Sequence, residues 1–301
     1  MPGLIKKEEF KDNCGFGLIA NINGIKSHKV IINSINALIS MTHRGGVGSD
    51  GKTGDGCGLL FDIDHKFFAD TILKEQNIEI GEHFAIGQIF YNQDIAKLLP
   101  KIKKILKSEN LALAAYRKVP VDEKILGEIA HSCLPEIFQL FIKPSEKDFN
   151  QEVFETGLIQ ARKYIEEIYM DDEKLYVCSM SSKTVVYKGL MLPNAIKEFY
   201  LDLNQENFRA STCVFHQRFS TNTSPRWHLA QPFRLLAHNG EINAIRGNRN
   251  WVKARSSKFK TPLIPKIQKF KQLVNETGSD SSSLDNMIEL LVKGGVDIFR
   301  A

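Results

Sequence analysis

Four glycine-dense or strongly polar segments concentrate the side chains that could do chemistry in this sequence. They are His43-Arg44-Gly45-Gly46-Val47-Gly48-Ser49-Asp50 with Thr53-Gly54-Asp55-Gly56 behind it; His216-Gln217-Arg218-Phe219-Ser220-Thr221-Asn222-Thr223; Ala237-His238-Asn239-Gly240-Glu241; and Glu276-Thr277-Gly278-Ser279-Asp280-Ser281-Ser282-Ser283. Glycine clusters of this kind do not arise from core packing, and polar loops beside rigid strands are where sites sit. A fifth feature is Cys14, which follows a charged leader and opens a strand-like segment with Gly15 and Gly17.

Cys14 has two readings on chemistry alone. One is a small buried thiol, the usual state of a cysteine. The other is a nucleophile that becomes the amino terminus once residues 1–13 are removed. An α-amino group titrates at about 7.7–8.0, so near neutral pH it can take the proton of its own thiol. The loop histidines His43, His216 and His238 match no compact metal spacing and are read as hydrogen-bonded structural groups. None of the glycine runs matches a phosphate-binding loop.

These segments need a scaffold, and the composition allows one. The chain has 301 residues, 43% apolar and 25% charged, enough for a large core in one domain or two modest ones. No apolar run is long enough to cross a membrane. The net charge of +5 is too mild to imply nucleic acid. The stretch 246–271 carries nine Lys or Arg and no acid, but reads as a solvated face. Five cysteines, an odd number without a C-x-x-C spacing, argue against a disulfide framework and against zinc or iron–sulfur ligation. The leader lacks a secretory pattern, so a cytoplasmic location is expected.

Periodicity predicts helices over 30–41, 94–107, 150–169, 241–254 and 282–292. Strands are predicted over 14–21, 59–63, 83–91, 111–117, 137–142, 175–179, 184–188, 213–219 and 233–237. Residues 45–58 must form a loop. Adjacent strand pairs mixed with intervening helices favour a layered α/β fold over a doubly wound parallel sheet.

Read in order, Cys14-Gly15-Phe16-Gly17, the HRGG…GDG loop, HQRFSTNT, AHNGEINAIRGN and SDSSSLDN resemble the class II glutamine amidotransferases, a family of N-terminal-nucleophile hydrolases. The resemblance runs from Cys14 to the last residue. Thr53-Gly54-Asp55-Gly56 and the HNGEINAIRGNRNW stretch are most similar to the glutaminase domain of glutamate synthase large chains. The resemblance implies a four-layer αββα sandwich over 14–301, incomplete at its C-terminal end, after a leader of residues 1–13 that is removed. It implies Cys14 as the nucleophile, Asn239 and Gly240 as the oxyanion site, and Arg44 and Gly45 as the loop lining the nucleophile, with Arg44 orienting it. Arg218 would hold the substrate carboxylate and Asp280 its ammonium. L-glutamine is the implied substrate, with ammonia passed to a synthase site downstream or on a partner chain. FMN and an iron–sulfur cluster are expected in that downstream part, none in this chain, with electrons from an NADPH-oxidising small subunit or ferredoxin. A stand-alone amidotransferase for another acceptor and an inactive truncated scaffold are the alternatives.

Overall fold

The computed structural model describes residues 15–146, 148–170, 174–218, 225–240, 242, 244–276 and 278–301. In chain order the main elements are β1 (Phe16–Ala20), α1 (His28–Ser40), β2 (Cys57–Asp62), α2 (His65–Gln76), β3 (Ala85–Tyr91), α3 (Ile95–Ser108), β4 (Leu111–Lys118), α4 (Glu128–Ser132), β5 (Glu136–Pro144), α5 (Gln151–Glu166), β6 (Leu175–Ser181), β7 (Thr184–Gly189), α6 (Ile196–Phe199), β8 (Thr212–Gln217), α7 (Ile245–Arg255) and α8 (Asp280–Lys293).

The strands form two four-stranded sheets, ordered β1-β8-β2-β7 and β4-β5-β3-β6. Every neighbouring pair is antiparallel. One apolar cluster joins both sheets to α1 and α2 and includes Ile35, Leu38, Phe61, Phe68, Phe141 and Tyr187. A second seats α3 and α5 on the other sheet through Leu98, Ile102, Leu140, Leu158 and Ile165. Each such side chain contributes about 1.5–3 kcal/mol by leaving water. This is the expected layered α/β sandwich of the N-terminal-nucleophile type. Among the described residues no helix is long and apolar enough to span a membrane.

Helix starts follow the local chemistry. Asp94 caps α3 by accepting from the Ala96 N–H at 2.9 Å, and Asn150 caps α5 through the Glu152 and Val153 N–H groups. The sequence reading misses α2, whose buried side is only Phe67, Phe68 and Ile72.

The predicted loop 45–58 ends at Gly56, because Cys57 and Gly58 already pair in β2, and one predicted strand is overturned. Residues 233–237 form a turn rather than a strand: the Phe233 N–H donates to Leu236 O at 2.9 Å. The Leu235 and Leu236 N–H groups, which a ladder would need, donate to Asp285 Oδ1 at 2.8 and 3.2 Å. A buried carboxylate on α8 has replaced the strand partner, and the Arg234 guanidinium reaches its other oxygen at 3.1 Å. The predicted strand 213–219 ends at Gln217, and its last residue, Phe219, lies outside the described residues, as do the Glu241 start of the predicted helix 241–254 and part of the predicted strand 14–21.

Candidate active site

The loops singled out above gather where β1 and β8 meet. The Gln217 N–H donates to Gly15 O at 2.6 Å, which fixes the start of β1 beside the end of β8. Cys14 itself lies outside the described residues, so its immediate neighbour marks the place. A Cβ built on Gly15 would stand 2.8 Å from Gln217 O and 3.2 Å from Asn239 Oδ1. Only glycine fits there, and the Asn239 side-chain amide therefore lies directly against the residue that follows Cys14. Asn239 and Gly240 are both exposed to solvent.

Arg218 leaves β8 with a φ of 123°. Such a backbone costs a non-glycine residue on the order of 1–3 kcal/mol and persists where the surroundings impose it. Here its N–H donates to Gly56 O at 2.7 Å and its carbonyl accepts from the Gln231 N–H at 3.3 Å. The half-exposed guanidinium sits with Nε 3.3 Å from Asp55 Oδ2. Burial raises the Asp55 pKa, opposed by the Gly46 N–H and by Arg218.

Arg44 closes a short 3-10 turn after α1, its N–H donating to Met41 O at 2.8 Å. Gly45 comes next, and a Cβ on it would overlap the Gln217 amide and approach Asp55 Oδ1. The rest of that loop is pinned by Asp50, which accepts from the Thr53 N–H and hydroxyl at 2.8 and 2.6 Å and from the Ile129 N–H at 3.0 Å. Those hydrogen bonds hold the Asp50 carboxyl well below the usual range.

His216 and His238 are hydrogen-bonded, as read from sequence, and both serve the site's geometry. The His216 ring lies 3.1 Å from Arg218 O and 2.8 Å from His238 O, bridging the two segments. Burial brings its pKa down to about 4, so the ring is neutral at pH 7 and donates to one carbonyl at a time. The His238 ring meets Ser281 Oγ at 2.7 Å, and burial lowers its pKa against the opposing charge of Asp280.

Asp280 is the first residue of α8, where an anion complements the helix dipole. It is 6% exposed and accepts from the Ser281 N–H and hydroxyl at 2.6 and 3.1 Å. Through Ser281 and His238 it is connected to the Asn239 segment. Arg218, Asn239, Gly240, Arg44, Gly45 and the Asp280 start of α8 therefore all lie on segments around one strand end. A guanidinium and a carboxylate suit a ligand carrying both charges, and an exposed amide suits a developing oxyanion.

Sequence reasoning left out Asp55, Gln217, Ser281 and Arg249. All four stand inside the motifs read above; Asp55 is flanked by Gly54 and Gly56, whereas nothing local marks Gln217, Ser281 or Arg249. Gln217 is fully buried, yet among the described residues neither its Oε1 nor its Nε2 has a hydrogen-bond partner, and Asp55 Oδ1 likewise has none. Among the described residues no group of three or more His, Cys, Asp or Glu could hold a metal ion.

Comparison with known proteins bears on this site. Residues 14–301 match the family model "Glutamine amidotransferases class-II". The chain is 38% identical to "Glutamate synthase [NADH]" of Saccharomyces cerevisiae over 97% of its own length and 14% of that protein's. It is 39% identical to "Ferredoxin-dependent glutamate synthase 1, chloroplastic/mitochondrial" of Arabidopsis thaliana, over 94% and 18%. With "Glutamate synthase [NADPH] large chain" of Azospirillum brasilense it shares 38% over 96% and 19%. The chain thus spans less than a fifth of the length of each of these relatives.

Proposed function

The chain belongs to the class II glutamine amidotransferases, and from that premise we propose that it hydrolyses L-glutamine to L-glutamate and ammonia through a thioester on Cys14. In this reading residues 1–13 are removed and the freed α-amino group takes the thiol proton. The thiolate attacks the side-chain amide carbon. The resulting oxyanion receives hydrogen bonds from the Asn239 amide and the Gly240 N–H, a donor pair of the kind that contributes about 3 kcal/mol each to lowering a barrier. The tetrahedral intermediate collapses with protonation of the leaving nitrogen, ammonia departs, and water hydrolyses the γ-glutamyl thioester to glutamate and free thiol. Arg218 holds the α-carboxylate, Asp280 the α-ammonium, and Arg44 with Gly45 lines the nucleophile.

The observation that carries this reading is the Asn239 amide seated against Gly15. The names of the relatives support a further step, delivery of the ammonia to a glutamate-forming site on another part of a longer protein or on a partner chain. Flavin, iron–sulfur and electron-donor chemistry would belong to that other part, and no residue here is assigned to it. The test is direct: the purified chain with glutamine should release glutamate and ammonia in equal amounts, and Cys14→Ala should abolish it. Retention of activity by Cys14→Ala would refute the assignment of the nucleophile.

A further inference from the structure

We propose that Arg249 is a positioning residue for substrate recognition: its guanidinium clamps the backbone that presents Asp280, and so ties the ammonium-binding acid to the oxyanion segment. The inference rests on the reading of Asp280 given under Proposed function. Arg249 lies on α7, a helix without a single buried residue, which begins at Ile245, just after Gly240. From there the side chain reaches across to the loop before α8. Nη1 donates to Glu276 O at 3.0 Å, Nη2 to Gly278 O at 2.6 Å and Ser279 O at 3.0 Å, and Nε to Ser283 Oγ at 2.9 Å.

Those acceptors are not scattered. Two belong to the residues immediately before Asp280, and Ser279 is the N-cap of α8, its hydroxyl accepting from the Ser282 N–H at 3.1 Å. A planar fork with five N–H donors can hold three carbonyls and a hydroxyl in one geometry, whereas a lysine ammonium, a single point with three donors, cannot. A further polar link from α7 to this loop is Lys253 to Glu276, exposed and 3.5 Å long. A surface pair of that kind contributes little. Arg249 is thus the strong tie between the helix that follows Asn239 and Gly240 and the turn that carries Asp280. Its guanidinium also lies close enough to Asp280 for that charge to oppose the lowering of its pKa by burial.

Glutamine binding to the chain with residues 1–13 removed and carrying Cys14→Ala, which cannot turn the ligand over, tests the proposal by calorimetry. Arg249→Ala should raise the glutamine Kd about tenfold or more, with Arg249→Lys in between. Affinity for glutaramate, which is glutamine without its α-amino group, should change less than about twofold, because Asp280 has nothing to grip there. Should Arg249→Ala not fold, Arg249→Gln replaces it in the same comparison. Equal weakening of both ligands would mean general damage to the loop and overturn the proposal, as would an unchanged glutamine Kd. Absence of glutamine binding before Arg249 is touched would instead overturn the glutaminase reading, and the proposal with it.

Discussion

Two buried polar clusters in this molecule are built on opposite principles. The first lies within the sandwich. Arg117 donates from Nε to Gln139 Oε1 at 2.9 Å and pairs through Nη2 with Asp202 at 2.5 Å. The Tyr187 hydroxyl donates to the same Asp202 at 2.8 Å and accepts from Gln139 Nε2, which also reaches Gln88 Oε1 at 2.9 Å. Only Gln88 Nε2 is left over. The second cluster lies at the strand end, where among the described residues Gln217 has neither amide atom paired and Asp55 one oxygen unpaired. A closed network locks sheets and loops together. An open one carries hydrogen-bonding capacity at the place where the loops of the site converge.

The comparison can be broken first at its closed side. Arg117→Ala leaves the Asp202 carboxylate buried without its cation, and loss of one partner from such a pair costs about 3–5 kcal/mol. Denaturant unfolding should show that fall, while turnover per folded molecule stays near the parent's. A loss below about 1 kcal/mol would mean that the network does not hold the sandwich.

At the open side the expected effects appear in rate. Asn239→Ala should lower kcat for glutamine about a hundredfold, near 3 kcal/mol of barrier, with the unfolding midpoint unmoved. An unchanged kcat would remove Asn239 from the oxyanion site.

His216 bridges the two site segments and gives the comparison a pH axis. Burial holds its folded pKa at about 4, below the ordinary imidazole value of about 6.5. The unfolded chain therefore binds the proton more readily, so the stability linked to this group is full above pH 6.5 and is lost as pH falls toward 4. The span corresponds to about 3 kcal/mol. The stability gap between the parent and His216→Gln should narrow from pH 7 to pH 4.5, and a constant gap would contradict the assignment.

The smallest effect is expected at Gln217. Replacing an unpaired buried amide by an apolar side chain of similar size, as in Gln217→Leu, should change stability by no more than about 1 kcal/mol in either direction. A loss comparable to that of Arg117→Ala would show that the cluster at the strand end is as closed as the other.

Legibility in the sequence follows the range of the forces involved. The face of α1 with Ile31, Ile35 and Leu38, and the lysine-interleaved face of α3, can be read because each repeats within a few residues. Residues 233–237 look like a strand locally, but Asp285 takes their N–H groups from fifty residues away. Arg218, Asn239, Gly240 and Asp280 could be named because each stands in a recognisable motif. Their convergence could not be read, since it depends on β1 pairing with β8 and on α8 returning to the same end of the sheet. Arg249 and Gln217 carry no local mark at all, because what they touch lies on other segments.

The central claim is that Cys14 works as an amino-terminal nucleophile, and the intact mass of protein quenched while turning over glutamine tests it most directly. The account predicts a chain that begins at Cys14 and carries a glutamyl adduct on that residue. Active protein with residues 1–13 still attached, or an adduct on any other residue, would contradict it.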